Sequence, residues 1–456
     1  MGAQRAQPKK KSTTLQYLFD LDSTNNNNSK NGGNNMNTNN NRSTNQSYET
    51  EELLSIISYC TTFIFTFTDP SETSTQQDFK GLKLTQLLSL LKSSEKPTDD
   101  DQIISALVSM ISANLFRPLP PSSNPSTTSD STEDEDPITI PTPSWPHLQI
   151  VYSILLWLII NSDPKTLRCY IDHSFLLNML LLFQSEDPRE RESLKNTYHR
   201  IYSKFTFYRS FMRKSMINVF LHFVCEMETH CGIRELLEIW GSIINGFTVP
   251  LKEEHKMFLM RVLIPLHKPK GIQTYHRQLA YCVSQFVQKE PVLCGTVVRG
   301  ILRYWPVTNC QKEVLLIGEL EELVENIDPE QYKKLAKPLC TQIAKCLNSS
   351  NSQVAERAIY VWNNEQFVKM AMLEIAEVFP EVVKRIEMNL RWHWSRSIRQ
   401  LTESIKAMLE EMDQSLYFKC VQDMEHTTAM AKQEEMKRKL KWEGLEMAAA
   451  KKQIFQ

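Results

Sequence analysis

From Trp145 onward, apolar and polar residues follow one another with the period of an amphipathic helix. Apolar side chains recur at i, i+3, i+4 and i+7 through a series of segments. The segments group into helix pairs, whose first helices are predicted to begin near His147, Glu192, Gly232, His276, Gln311, Gln353 and Arg391. Successive starts are 45, 40, 44, 35, 42 and 38 residues apart. The pattern therefore predicts one structural unit repeated along the chain.

A helix pair every ~40–47 residues is the period of HEAT and armadillo arrays. The sequence thus predicts an all-α, HEAT/armadillo-like superhelical solenoid of stacked antiparallel helix pairs, with about seven or eight pairs between Glu51 and Asp413. One pair cannot bury its apolar face alone, so large side chains should pack between neighbouring pairs. They are Leu155, Trp157, Leu180, Phe220, Phe223, Leu236, Trp240, Leu263, Phe286, Trp305, Leu323 and Trp362. Such arrays present an extended surface suited to binding proteins or peptides.

Capping residues support two of the helix boundaries. In SEDPRE, Asp187 can cap a helix, Pro188 suits its first position and Glu190 can close a capping box. The segment DPEQ at 328–331 repeats the arrangement. Both predict a helix that begins at the proline.

Two stretches break the repeat pattern before Trp145. Residues 1–48 contain PKKK and an Asn-rich tract with little to bury, which predicts a disordered N-terminal tail. The tail is either a targeting or interaction arm or a neutral tract. The predicted solenoid occupies residues 49–412 and contains a loop at 118–144 that is rich in Pro, Ser and Thr. Long loops of this kind are commonly functional.

After the solenoid, residues 413–456 predict a charged helical C-terminal tail. Glu434 with Arg438, and Glu435 with Lys439, are i, i+4 pairs that support a solvated helix. The alternative is a nuclear-localisation patch, which would consist of Lys437, Arg438, Lys439 and Lys441.

Composition narrows the class of partner. The formal net charge is −1 and glycine occurs 12 times, which disfavours a nucleic-acid binder and favours helices over hairpins. Ten cysteines without a C-x-x-C spacing indicate a reducing compartment. The N-terminus lacks the apolar core of a secretory signal, and the apolar runs are shorter than the ~20 residues of a membrane helix. We expect a soluble protein of cytoplasm and nucleus, with neither nucleic-acid nor membrane partners.

No catalytic apparatus is recognisable in the sequence. The phosphate-binding loops G-x-x-x-x-G-K-[ST] and G-x-G-x-x-G are missing, as are H-E-x-x-H and G-x-S-x-G. His222, Cys225, His230 and Cys231 group soft metal ligands, but their spacing matches no standard zinc module. The sequence predicts no catalytic residue, no metal and no cofactor, which favours a binding protein over an enzyme.

The segment from Ser185 to His255 carries an unusual set of residues on its amphipathic helices. The set consists of His199, Arg200, Tyr202, Arg209, Glu238, Ile239, Ile243, Lys252 and His255. Spacings of three or four place His199 with Tyr202, and Ile239 with Ile243, on shared helix faces. By pattern alone, the isoleucines would belong to the core and the cations to solvent.

This segment and several others closely resemble the regulatory B-prime subunits of type 2A protein phosphatase. The resemblance runs in order over roughly residues 51–412. It is carried by ANLFRPLPPSSNP (113–125), WPHLQIVY (145–152), IPLHK (264–268), QLAYCVSQF (278–286), GELEELVENIDP (318–329) and QVAERAIYVWNNE (353–365).

The resemblance implies a non-catalytic regulatory subunit of the heterotrimeric phosphatase 2A holoenzyme, which binds scaffold and catalytic subunits and recruits phospho-Ser/Thr substrates. It also implies a pocket between adjacent repeats for the linear motif Leu-x-x-Ile-x-Glu of substrates and adaptors. Tyr202, Ile239 and Ile243 would be apolar walls for the Leu and Ile of the motif. The residues that would meet its Glu and any flanking phosphate are His199, Arg200, Arg209, Lys252 and His255. Charge-assisted contacts of this kind are strong.

Departures from the family pattern bear on these expectations. Asn196 and Ser203 stand where the family usually has Thr and Gly, and Trp240 where a smaller Leu is typical, which leaves the pocket's fine preference open. An acidic run precedes Trp145, as in the family, where it lies near the catalytic subunit and limits access; here it is followed by a longer connection, ITIPTPS. The run consists of Glu133, Asp134, Glu135 and Asp136. On sequence alone it is equally a solvated linker.

Two other functions are compatible with parts of the pattern. A helical-repeat adaptor or transport scaffold unrelated to phosphatase would show the same period, but would lack the constellation around His199, Arg200 and Tyr202. A helical enzyme would need convergent titratable groups, which the sequence does not display.

Overall fold

The computed structural model describes residues 42–62, 73–93, 100–119, 144–226, 229–306 and 308–454, and the regular elements within them are all helical. The chain divides into two compact units, Met1–Leu53 and Leu54–Gln456. The first unit is described only from residue 42, where helix α1 (Arg42–Thr62) begins. All later elements belong to the second unit.

The remaining helices follow in chain order. They are α2 (Thr73–Ser93), α3 (Asp101–Leu115), α4 (Trp145–Asn161), α5 (Pro164–Leu167), α6 (His173–Leu181), α7 (Pro188–Lys204), α8 (Arg209–Glu226), α9 (Ile233–Asn245), α10 (Glu253–Phe258), α11 (His276–Lys289), α12 (Cys294–Arg303), α13 (Cys310–Val324), α14 (Pro329–Lys333), α15 (Ala336–Leu347), α16 (Ser352–Val361), α17 (Glu365–Met372), α18 (Ile375–Trp392), α19 (Arg396–Met412) and α20 (Gln414–Ile454). A π-helical stretch, Leu259–Leu263, continues α10. Short 3₁₀ turns lie at Leu182–Gln184, Thr206–Tyr208, Pro265–His267, Ile272–Thr274 and Pro291–Leu293.

The helices of the second unit pack in two rows. The first row contains α2, α4, α7, α9, α11, α13, α16 and α19, and each of these packs against the next. The second row contains α3, α6, α8, α10 with its π-helical continuation, α12, α15, α18 and α20, with contacts such as α6 to α8, α15 to α18 and α18 to α20. The two rows are joined by contacts such as α3 to α4, α15 to α16 and α19 to α20. This packing of helices confirms the all-α helical-repeat prediction.

Predicted helix starts agree closely with observed ones. Three examples are α4, α11 and α13, which begin at Trp145, His276 and Cys310 against predictions of His147, His276 and Gln311. The largest discrepancy is α19, which begins at Arg396 because α18 continues to Trp392. The apolar period therefore locates the repeats, and the details of each boundary depend on capping.

The predicted core is largely confirmed. Nine of the twelve proposed side chains are buried: Leu155, Leu180, Phe220, Leu236, Trp240, Leu263, Phe286, Leu323 and Trp362. Trp157, Phe223 and Trp305 are half-buried instead. Trp305 uses its ring N–H to donate to Glu313 at 3.0 Å, so one edge of the ring stays near the surface.

Both predicted caps form. Asp187 accepts a hydrogen bond from the backbone N–H of Arg189 at 2.9 Å, and Asp328 accepts one from that of Glu330 at 3.2 Å. Glu190 takes a different role from the proposed capping box, because its fully buried carboxylate accepts two hydrogen bonds from Arg117, at 2.9 and 2.8 Å. It therefore ties the segment after α3 to α7, as well as lying in the first turn of α7.

A recurring device joins successive first-row helices. Lys204, the last residue of α7, donates to the carbonyls of Ile159, Ile160 and Ser162 at the end of α4, at 2.7 to 2.8 Å. Lys289, the last residue of α11, does the same for the end of α9. The last carbonyls of a helix have no partner within the helix, so each ammonium group satisfies them and fixes the spacing between pairs.

Three predictions fall partly or wholly on residues outside the described ranges. The first is the disordered tail predicted for residues 1–48. Its end differs from the prediction, since α1 already begins at Arg42. A helix propagates through polar residues once its apolar turns have formed. Most of the loop 118–144 is the second, and the acidic run Glu133, Asp134, Glu135 and Asp136 within it is the third. The predicted C-terminal helix is α20. No described helix is long and apolar enough to cross a membrane.

Candidate docking site

The site begins where α7 ends and α8 starts. His199, Arg200 and Tyr202 lie in the last turns of α7 and are half-buried. Arg209, the first residue of α8, donates to the carbonyl of Tyr202 at 3.0 Å and to that of Ser203 at 2.9 Å. Its guanidinium also lies 5.5 Å from the centroid of the Tyr202 ring. Arg209 thus caps α7 and holds the tyrosine ring beside a fixed positive charge.

Arg213, which is not among the residues predicted from the sequence, belongs to the same cluster. It follows Arg209 by one helical turn and donates to the Tyr202 hydroxyl at 3.1 Å. Its positive charge also contributes to lowering the pKa of His255, which places it near that ring. The spacing of four from Arg209 was the available signal, since it puts both guanidinium groups on one face of α8.

Lys252 and His255 approach from the next pair. Lys252 immediately precedes α10 and is exposed, whereas the His255 ring stacks on Phe247 with centroids 3.6 Å apart and planes 2° from parallel. Burial lowers the pKa of His255; Glu254 opposes this, and Arg213 and Lys252 add to it. Among the described residues, Nδ1 of His255 has no hydrogen-bond partner. The imidazole is therefore held neutral inside a cationic environment.

The loop that carries Phe247 is anchored by the following repeat. Lys289 donates to the carbonyl of Phe247 at 2.9 Å, and Glu290 accepts from the backbone N–H of Leu251 at 2.7 Å. This backbone hydrogen bond, and after it the ion pair of Glu290 with Lys256 at 3.1 Å, lowers the pKa of Glu290. The end of α11 therefore fixes the position of the His255 ring.

Glu238 is a neutralised link between three helices. It accepts from Lys195 of α7 at 2.6 Å and from Gln278 of α11 at 3.0 Å, and Arg234 lies 3.5 Å away. Three donors surround the Glu238 carboxylate and balance its negative charge. This carboxylate therefore does not offset the positive charge of the more distant cations. Its contacts set the spacing of α7, α9 and α11 around the site.

The two isoleucines are deeper than open pocket walls. Ile239 is 1% exposed and Ile243 is 6% exposed on α9. Trp240, which lies between them in the sequence, stacks on Phe258 with ring centroids 3.9 Å apart. The core therefore accommodates this tryptophan, which is larger than the Leu typical of the family at this position. Of the two side chains, Ile243 retains the larger exposed fraction.

The structure brings part of the predicted set together. Arg209 and Arg213 each contact Tyr202, and the charge of Arg213 acts on His255. Glu238 and the two isoleucines belong to α9, which packs against α7. Arg200 lies near enough to Lys204 to contribute, after burial, to lowering the pKa of that lysine. The arrangement offers cations beside one half-buried aromatic ring, which suits an anionic, partly apolar peptide.

The two histidines of the soft-ligand group His222, Cys225, His230 and Cys231 make contacts other than metal binding. His222 pairs with Glu226 at 2.9 Å, and Nδ1 of His230 accepts from the backbone N–H of Gly232 at 3.1 Å. Burial and the charge of Arg191 lower the pKa of His230 to about 4. Within the described ranges, no group of three His, Cys, Asp or Glu side chains is arranged to hold a metal ion.

Comparisons with known proteins identify relatives over most of the chain. The model of the family described as protein phosphatase 2A regulatory B subunit (B56 family) matches residues 39–449. The B' beta isoform of the 57 kDa regulatory subunits of serine/threonine protein phosphatase 2A, from Arabidopsis thaliana, is 47% identical over 393 residues, 86% of this chain and 78% of that protein. The B' alpha isoform from the same plant is 46% identical over 394 residues, 86% and 79% of the two chains. The B' kappa isoform of Oryza sativa subsp. japonica is 44% identical over 389 residues, 85% and 76%.

Proposed function

Because the chain belongs to the B56 family of protein phosphatase 2A regulatory B subunits, we propose that it joins a scaffold subunit and a catalytic subunit and recruits substrates through the groove around Tyr202. Its role is regulatory rather than catalytic. The proposed ligand is a peptide of the form Leu-x-x-Ile-x-Glu on phospho-Ser/Thr substrates and adaptors. Docking of such a peptide raises the local concentration of substrate at the neighbouring active site.

The observation that carries this proposal is the cluster of cations around Tyr202. Arg213 and Arg209 are both held at Tyr202, and the neutral His255 ring lies close to Arg213. A carboxylate entering this cluster would receive charge-assisted hydrogen bonds, which are roughly twice as strong as neutral ones. The glutamate of the motif supplies that carboxylate, and its apolar residues would pack against Tyr202 and the edge of Ile243.

Peptide titration by calorimetry tests the docking role. We expect Arg200→Ala and His255→Ala to weaken binding of a Leu-x-x-Ile-x-Glu peptide by roughly 1.5–3 kcal/mol, the scale of a hydrogen bond to a charged group. Ile243→Ala should weaken binding with little change in its salt dependence, because the lost contact is apolar. Unchanged affinity in the Arg200 and Ile243 variants would show that the motif docks elsewhere.

Two controls make the titration specific. In the first, the final Glu of the peptide is replaced by Gln. The difference in affinity between the native protein and the Arg200 variant should then largely disappear. Lys214→Ala removes an exposed cation on α8 next to Arg213 and should leave affinity within about 0.5 kcal/mol, as most surface substitutions do for stability.

Assembly with the phosphatase is tested separately. We expect the full chain to co-purify with a catalytic subunit and a larger repeat scaffold, and the three groove variants to do so equally. We also propose that Glu133, Asp134, Glu135 and Asp136 act on the catalytic subunit. Reversal of their charge should change holoenzyme activity and leave thermal unfolding of the isolated chain unchanged. Finally, we propose a distribution between cytoplasm and nucleus, which imaging of the tagged chain would check.

A further inference from the structure

Basic residues are concentrated in one block of the chain, residues 255–312. The block contains nine Lys and Arg residues but a single acidic residue, Glu290. It includes most of α10, all of α11 and α12, and the connections that follow α10 and α12. The formal net charge of the whole chain is −1, so the residues outside the block carry a net negative charge. Positive charge is therefore localised on a few neighbouring helices.

Three of the nine cations are used within the fold. Lys256 pairs with Glu290 at 3.1 Å, and Lys289 donates to carbonyls at and after the end of α9. Lys312 is buried and donates to two carbonyls of the connection that follows α10, at 3.1 and 3.4 Å. The other six are exposed, and within the described ranges none of them makes an ion pair. They are Arg261, Lys268, Lys270, Arg277, Arg299 and Arg303.

Four of these six lie where a second-row helix connects to the next first-row helix. Lys268 and Lys270 belong to the connection that leads into α11, and Arg277 lies in the first turn of α11. Arg303 is the last residue of α12 and opens the connection that leads into α13. The two connections are in contact, since the side chain of Asn309 donates to the carbonyl of Lys270 at 3.4 Å. We call Lys268, Lys270, Arg277 and Arg303 the basic ridge.

The fold uses the backbone of the basic ridge and leaves its charged groups exposed. The carbonyl of Lys268 accepts from Lys312, and that of Lys270 accepts from Asn309, whereas both lysine side chains are exposed. The next acidic residue along the chain is Glu313, which accepts from the ring N–H of Trp305 at 3.0 Å. Exposed cations on a fixed backbone, without acidic partners, are complementary to an anionic ligand.

The size of the basic ridge limits that ligand. Neighbouring helices pack 8–10 Å apart, so a surface that spans two of them with their side chains is roughly 20 Å long. An extended peptide covers this length with about six residues, at ~3.3 Å each. A long polyanion such as a nucleic acid would continue beyond the ridge, over a protein whose other residues carry net negative charge. A short acidic peptide segment meets the cations alone.

We propose that the basic ridge binds an acidic segment of about six residues, rich in Asp and Glu, of a partner protein. The carboxylates would receive charge-assisted hydrogen bonds, and the two arginines can donate in a bidentate geometry. The ridge lies at the start of α11, whereas the other end of α11 anchors the Phe247 loop beside the groove around Tyr202. At 1.5 Å per residue, the 14 residues of α11 separate the two by about 21 Å. The proposal is therefore independent of peptide docking in that groove.

Fluorescence titration of the full chain tests the proposal. The probe is a labelled peptide of alternating Asp and Glu, about six residues long. We expect saturable binding that weakens as salt is added, because the contacts are electrostatic and exposed. A peptide of alternating Asn and Gln should not bind. The double variant Lys268→Glu with Lys270→Glu should weaken binding by more than ~10-fold, since it places like charges opposite the acidic segment.

A matched control reverses two exposed cations outside the basic block, Lys369→Glu with Lys384→Glu. The change in net charge is the same, so affinity should change by less than ~2-fold if the ridge rather than the overall charge binds the peptide. Thermal unfolding of the ridge variant should equal that of the native chain, because the fold uses the carbonyls of Lys268 and Lys270 and these persist in the variant.

Four results would overturn the proposal. The first is no saturable binding, or an equal loss in the ridge and control variants. The second is competition by the Leu-x-x-Ile-x-Glu peptide or loss of binding in Arg213→Ala, which would locate the acidic peptide in the groove around Tyr202. The third is tighter binding of a single-stranded oligonucleotide of equal charge, or of vesicles with anionic lipid, which would assign the ridge to another class of partner. The fourth is stronger peptide binding after charge reversal of the run from Glu133 to Asp136, which would make this run the occupant.

Discussion

Two histidine clusters, one around His255 in α10 and one around His267 just after the π-helical continuation of α10, carry charge in opposite ways. His267 is fully buried and lies between two acceptors, because Nδ1 contacts the carbonyl of Ile264 at 2.9 Å and Nε2 contacts the Glu319 carboxylate at 3.1 and 3.2 Å. A carbonyl and a carboxylate can only accept, so both ring nitrogens must donate and the ring is an imidazolium. His255 also lies among charges, but these are the cations Arg213 and Lys252, opposed by the exposed Glu254.

The pKa values follow from this difference. Burial would lower the pKa of His267, but the Glu319 carboxylate raises it above its ordinary value. Burial would raise the pKa of Glu319, yet His267 and His276 together lower it to about 2. At His255, burial and neighbouring cations lower the pKa instead. One cluster holds its own buried carboxylate and stabilises the chain; the other has a surplus of cations, which the carboxylate of a bound peptide could balance.

Removal of the Glu319 carboxylate from the cluster with His267 and His276 should have the largest effect, a loss of unfolding free energy. We expect Glu319→Gln to destabilise the chain by about 3–5 kcal/mol, the usual cost of breaking a buried ion pair from one side. Chemical denaturation at neutral pH measures the change. Glu322→Gln, on an exposed face of the same helix, is the matched control and should cost little. A loss below about 1 kcal/mol for Glu319→Gln would contradict the buried ion-pair interpretation.

The same pair predicts a pH dependence of stability. Glu319 has a depressed pKa, so its contribution is present above the ordinary value of 4.5 and is lost as pH falls towards about 2. His267 has a raised pKa, so its contribution is present below 6.5 and is lost as pH rises through the folded value. The difference in unfolding free energy between native chain and Glu319→Gln should shrink at both extremes. A difference that is constant with pH would argue against the charged pair.

At the cluster of His255 with Arg213 and Lys252, loss of a cation should affect peptide binding rather than the stability of the chain. We expect Arg213→Ala to weaken the Leu-x-x-Ile-x-Glu peptide by roughly 1.5–3 kcal/mol, because it removes a charge-assisted donor and releases the Tyr202 hydroxyl. Calorimetry measures the affinity, with Lys214→Ala as control. A variant that unfolds at lower denaturant but binds normally would assign Arg213 to the fold instead.

The smallest effect concerns protonation of His255. An anionic peptide offsets the charges of Arg213 and Lys252, so it should raise the pKa of His255 and binding should take up protons. Affinity should then increase as pH falls between about 8 and 5.5, by up to ~10-fold for a shift of one pKa unit. Titrations in buffers of different ionisation enthalpy detect the proton uptake. His255→Gln should abolish it, and a pH slope that survives this substitution would locate the titrating group elsewhere.

Local features of the chain were predictable because they depend on neighbours in sequence. The apolar period located the first-row helices from α4 onward, and Asp187 and Asp328 formed the caps that their positions before Pro188 and Pro329 indicated. The cationic groove residues could be selected through the resemblance of their segments to a family. By pattern alone, Arg200 and Lys252 were indistinguishable from solvated charges.

Long-range pairings were not predictable in this way. Arg117 meets Glu190 across 73 residues and His267 meets Glu319 across 52. The sequence context of Glu190 indicated a capping box, and that of Glu319 indicated no partner. Arg213 became a site residue only when α8 brought it to Tyr202, with its charge acting on His255. Helix formation and capping are satisfied within a few residues, so the repeated helices and their order could be read along the chain. Which charges are buried, paired or available to a ligand depends on the packing of distant segments, because desolvation and Coulomb energy are set by the groups that packing brings together.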